Sequence, residues 1–117
     1  RNVVNNPRDA QKSLNETQGK GDLYVVANTK DVRDPHSKEI SDGFERWEKE
    51  MPEADVSIGG YTDKLGKMEY DSSAAFRSDS PQKAMEFAKK YKQESYMVIS
   101  NSDAKVTFYN PDGSVYT

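Results

Sequence analysis

The sequence predicts a single α+β domain. It is an antiparallel sheet with two main helices on one face, in a ferredoxin-like βαββαβ order, plus an N-terminal helix and a C-terminal strand. Three observations carry this. Two apolar stripes recur at helical spacing, each opening on a polar residue followed by Pro. Between and around them lie runs of β-branched and aromatic residues with period-two alternation. Gly-containing turns separate those runs, too short to hold a further helix.

Taken in order, residues 1–20 read as a polar, Asn-rich leader with a short helix that Pro7 starts and that runs to about Thr17. Gly19 and Gly21 break the chain, and residues 21–117 form the single α+β domain. Residues 22–28 (DLYVVAN) are the first strand. Asp34-Pro35 then supplies a cap and a first-turn proline. Ile40, Phe44, Trp47 and Met51 follow as one helical face, and Pro52 ends it. Gly43 interrupts that helix at a cost of about 1 kcal/mol against Ala.

Val56, Ile58 and Gly60 alternate on a second strand, and the loop 62–66 turns on Gly66 at positive φ. Gly59-Gly60 permits a bulge or close packing. The third strand is the clearest. Met68, Tyr70, Ser72, Ala74 and Phe76 share one face, while Lys67, Glu69, Asp71, Ser73 and Arg77 take the other, read as its wet side. Ser80-Pro81 opens the second helix, with Ala84, Phe87, Ala88 and Tyr91 as its stripe. Residues 95–100 and 105–109 are the last two strands, and Pro111-Asp112-Gly113 is a turn. The first main helix is acidic and the second basic, so they attract if adjacent or stand as two solvated faces.

Composition narrows the chemistry. The 117 residues contain no Cys, which excludes disulfides, thiolate nucleophiles and Cys-ligated zinc. Mean hydropathy is −1.02. Twelve aromatics (one Trp, seven Tyr, four Phe) nonetheless mark a globular chain rather than a disordered one. No apolar run approaches the roughly 18 residues of a membrane helix, and no signal segment opens the chain. A start at Arg1 fits a fragment or a processed product. Asn15-Glu16-Thr17 matches a glycosylation sequon, which matters only in a secreted protein. The net charge of −3 argues against binding nucleic acid by bulk electrostatics.

His36 is the only possible imidazole base; it sits at a helix start with no nucleophile pattern around it and reads as solvated. Asp31, Asp34 and His36 match no zinc or calcium loop, and no phosphate-cradling glycine pattern is present. No cofactor or metal is expected. Glu69 and Asp71, two apart on a strand, would need a desolvated cleft for acid–base work and otherwise face water. The strand aromatics Tyr61, Tyr70, Tyr96, Phe108 and Tyr109 could stack bases, as RNA-binding sheets do, but the basic-aromatic motif of that module is missing.

Residues 58–96 carry a further pattern: Gly59, Gly60, Tyr61, Asp63, Gly66, Lys67, Tyr70, Asp71 and Ser73 on a hairpin, then Ala84, Ala88 and Gln93 on a helix. This resembles a small α+β domain of bacteriophage and mobile-element proteins, found also within large polyvalent proteins. The sequence departs from that pattern at Tyr61, where Trp is usual, at Ser72, where Val is usual, at Lys92, where Asn is usual, and at 110–114, where the family's acidic-turn ending is missing. A similar helix and strand occur in an accessory subunit of a respiratory complex. The resemblance implies a mobile-element origin and carries no catalytic residues.

The function expected is therefore that of a phage or mobile-element accessory protein: a non-enzymatic protein-binding module that docks on a host protein, as an inhibitor of a defence system or host enzyme. It would act in the host cytoplasm or with the virion. The expected binding patch is the second hairpin, with Tyr61, Asp63, Lys64, Lys67, Glu69 and Asp71. The alternatives are a structural, virion-packaged protein or excised domain, and a nucleic-acid-binding sheet. A homodimer through sheet edges is compatible with either.

Overall fold

A computed structural model of the chain describes residues 7–17 and 19–116. The elements are α1 (Pro7–Glu16), β1 (Asp22–Ala27), α2 (Lys38–Glu50), β2 (Asp55–Thr62), β3 (Met68–Ser78), α3 (Gln82–Lys90), β4 (Tyr96–Ile99) and β5 (Val106–Tyr109). The α+β class and the element order expected from the sequence are both found.

The strands form one sheet in the order β2-β3-β1-β4-β5, with every pairing antiparallel. Strand β3 lies between β1 and β2, so the β1–α2–β2 crossover skips it. The β3–α3–β4 crossover likewise skips β1. Interleaving the two crossovers puts both helices over the middle of the sheet.

Alternation along the strands builds two cores. Tyr24, Val26, Ala74, Phe76, Tyr96 and Val98 point to the helices and pack with Trp47 and Met51 and with Ala84 and Ala88 of α3. Trp47 is fully buried, and its ring meets Phe87 at 5.1 Å and Tyr91 at 5.7 Å, both edge-on. Its indole N–H donates to the Ser72 carbonyl at 3.1 Å. Glu50 accepts from Lys90 and Tyr91, so the opposite charges of α2 and α3 do meet.

The other face is not simply wet. Leu23, Val25, Met97 and Ile99 point to it and are covered by Ala10 and Leu14 of α1. The stretch read as a polar leader thus contributes a third layer. Arg77 fastens it: its guanidinium donates to the carbonyls of Leu14 (2.6 Å), Thr17 (3.3 Å) and Gly21 (3.0 Å). A cation on the last carbonyls of α1 also complements the helix dipole. With both faces covered, β1 is buried from Leu23 to Val26, as its unbroken apolar run requires.

Local details differ from expectation. Helix α2 begins at Lys38 with Ser37 at the cap position, three residues after Pro35. Asp34 instead closes a turn, accepting from the His36 amide through its side chain and from the Ser37 amide through its carbonyl. Likewise Pro81 holds the cap position of α3, and the Ser80 hydroxyl accepts from the Gln82 amide. Gly59 and Gly60 pair in unbroken register with Asp71 and Tyr70, so they form no bulge. Among the described residues no helix is long and apolar enough to cross a membrane.

Candidate functional site

Strand β3 is eleven residues long and runs past the end of α1. Its α1-side residues therefore change surroundings along its length. Ala75 and Arg77 lie under the helix, while Ser73, Asp71 and Glu69 enter a groove of about 700 Å³. The hairpin β2–β3 builds one wall. Tyr61 stands directly across from Glu69 and Gly59 across from Asp71. Val25, Ala27 and Met97 supply an apolar floor, and Phe108 and Tyr116 the far wall.

The hairpin is held by Asp63. Its carboxylate accepts from the amides of Leu65 (2.9 Å) and Lys67 (3.0 Å) and pairs with Arg33 at 2.9 Å. The Lys67 amide and the Arg33 charge keep this carboxyl below the ordinary carboxylate range. Gly66 takes φ +79 with nothing near its would-be Cβ, the conformation expected of it.

Two loops form the remaining rim. Asp31 follows β1 with φ 57, a left-handed conformation that Asp tolerates. Lys92, with φ 54, ends α3, and Gln93 behind it donates to the Thr29 carbonyl at 3.1 Å. That bond ties the loop after α3 to the loop after β1, and Glu94 follows on the groove. The Tyr116 hydroxyl donates to Glu94 at 3.3 Å.

Within the groove Glu69 is only 6% exposed. The Tyr61 hydroxyl donates to it. Loss of solvent, that hydrogen bond and the nearby charges of Glu69, Asp71 and Glu94 push the phenol up from its ordinary value, so it remains a donor at neutral pH. Asp71 accepts from the Ser73 hydroxyl at 2.5 Å. The lining is thus acidic and aromatic: it can compensate a cation and stack against a flat group.

Of the six residues expected to bind, Tyr61, Asp63, Lys64, Glu69 and Asp71 line this groove. Lys67 is exposed beyond it and gives its backbone to the hairpin turn. Glu69 is buried rather than wet, lining the groove instead of facing open solvent. Sequence reasoning missed Glu94 and Tyr116, which carry no local signal. Tyr96 and Tyr109 stack on one another at 5.7 Å beside the helix-side core, so they are not free to stack bases. His36 is exposed and lies outside the lining. Among the described residues no group of three or more His, Asp or Glu is arranged to hold a metal ion. No family model matches the chain, and neither a curated protein nor a solved structure is found similar to it.

Proposed function

We propose that the chain is a non-enzymatic protein-binding module that receives its partner in the groove between the β2–β3 hairpin and the loops after β1 and α3. The observation carrying this reading is that, among the described residues, α1 packs on one part of a sheet face and the adjoining part of that face lines a groove, with Tyr61, Glu69 and Asp71 among its lining. Exposed rings at Tyr61 (48%) and Phe108 (36%) offer the large, rigid contact area that binding surfaces favour. The acidic lining disfavours a phosphate backbone, which ranks a protein partner above nucleic acid. The groove, not the resemblance to mobile-element domains, supports this reading. In a mobile-element setting the partner would be a host protein, and occupancy of its surface would be the means of inhibition.

The test is affinity capture with tagged chain at low and moderate salt, followed by mass spectrometry. A single protein retained at moderate salt, lost with Asp71→Lys and kept with Lys67→Glu, supports the groove. Retention indifferent to Asp71→Lys, or no retained protein, overturns it.

A further inference from the structure

Glu69 has a carboxylate in a place where carboxylates are costly. It is 94% buried, given its 6% exposure, and among the described residues no Lys or Arg forms an ion pair with it. Arg33 senses its charge but is engaged by Asp63 at 2.9 Å. Among the described residues the Tyr61 phenol donates to it, and a carboxylate has about four acceptor positions. A buried carboxylate with so little compensation is unfavourable, and a cation entering the groove offsets that.

The surroundings select the kind of cation. Carboxylates of Asp31, Asp63, Glu69, Asp71 and Glu94 line the groove against Lys30 and Lys64. The Tyr61 ring stands beside Glu69, and Phe108 faces the groove from β5. A planar guanidinium offers a donor fork that matches a carboxylate and flat faces that stack on rings. An ammonium offers neither the fork nor the stacking plane.

We propose that the groove takes the guanidinium of an arginine side chain carried by an extended segment of the partner protein, with Glu69 as its anchoring carboxylate. This rests on the binding-module reading and specifies its partner. Tyr61 and Phe108 flank the guanidinium, and Glu94 holds the segment's remaining positive charge near the rim.

The experiment is an NMR titration of labelled full-length chain with a blocked Gly-Arg-Gly peptide and its citrulline and lysine counterparts. Citrulline keeps the shape and loses the charge. Saturable shifts are expected at the amides of Tyr61, Glu69, Asp71 and Phe108. Citrulline should bind ~10-fold or more weakly, the scale of one charged bidentate contact. Glu69→Gln should weaken the arginine peptide by a similar factor while leaving the rest of the spectrum in place. If Glu69→Gln loses the native spectrum, Tyr61→Ala serves instead, because this half-exposed ring carries little of the core. Equal binding of arginine and citrulline, equal binding of arginine and lysine, shifts outside the groove, or no saturable shift each overturns the proposal. If the peptides fail while a captured protein still depends on Asp71, the arginine assignment falls and the module reading stands; if capture fails too, both fall.

Discussion

Replacing Gly43 with alanine sets two local rules against each other. Helix propensity alone favours alanine inside α2 by about 1 kcal/mol. The packing opposes it. A Cβ at Gly43 would sit 2.7 Å from Asn28 Oδ1, 2.7 Å from Ser72 Cβ and 2.9 Å from Ser72 Oγ. Neither neighbour can swing into water, since Ser72 is fully buried and Asn28 is 5% exposed. Both are also pinned. The Asn28 amide group donates to the Gly43 carbonyl at 2.9 Å, and the Ser72 amide donates to the Thr29 hydroxyl at 3.0 Å. Relief must come from moving α2 off the sheet, an overpacking that costs about 1–3 kcal/mol. With the upper part of that range opposing the propensity gain, the net expectation is a loss of about 1–2 kcal/mol. For a domain of this size that lowers Tm by roughly 4–8 °C. Urea unfolding is the assay, with a lower midpoint and an unchanged slope. In the Gly43→Ala/Ser72→Gly double variant both clashing Ser72 atoms are gone. The two changes should then couple favourably by about 1 kcal/mol or more. A Gly43→Ala protein as stable as the parent, or more stable, refutes the close approach of α2.

Other outcomes follow from the same contacts. Arg77→Ala should cost about 2–3 kcal/mol, the scale for hydrogen bonds from a charged donor, and hydrogen exchange should show α1 amides losing protection before those of β2 and β3. Trp47→Phe removes one of the two donors to the Ser72 carbonyl, which keeps the Asn28 amide at 3.0 Å, so urea unfolding should show a loss of about 0.5–1.5 kcal/mol, the net scale of one hydrogen bond. The Asp63 carboxyl titrates below its ordinary value, so its contribution to the hairpin is complete above about pH 4 and is lost as pH falls through the folded value. A carboxyl NMR titration reads this directly, and Asp63→Asn should remove that acid dependence. Burial, the largest cause in each, raises the phenols of Tyr24, Tyr61 and Tyr96. Their stabilisation is full below the ordinary phenol value of about 10 and is lost as pH rises through the higher folded values. An ultraviolet titration should therefore show these three ionising above the ordinary phenol value.

Patterns that depend on one element were legible in the sequence, and patterns that depend on contact between elements were not. The α2 stripe could be read because Ile40, Trp47 and Met51 each obey the helical period wherever the helix lies. Gly43 looked like a defect because its reason lies on two other segments, at Asn28 and Ser72. Asp34-Pro35 and Ser80-Pro81 have the chemistry of helix starts, yet both serve the turn just before the helix. The choice between the two uses is made by how each loop approaches the sheet.

The site was hidden for a related reason. Period-two alternation correctly divides β3 into two faces, but it cannot tell how much of a face another element will cover. Ala75 packs with the α1 cluster, whereas Ser73, two residues earlier, lines the groove. At the covered end a cation, Arg77, is already surrounded by carbonyls of α1 and the following loop. Eight residues earlier on the same face stands a carboxylate, Glu69, more deeply buried than Arg77 and, among the described residues, in no ion pair with Lys or Arg. Polar residues at alternate positions looked alike in the sequence because each was compatible with a wet strand face. Partial cover by α1 separates them. It makes Arg77 a structural clamp and leaves Glu69 in a groove walled by aromatic rings.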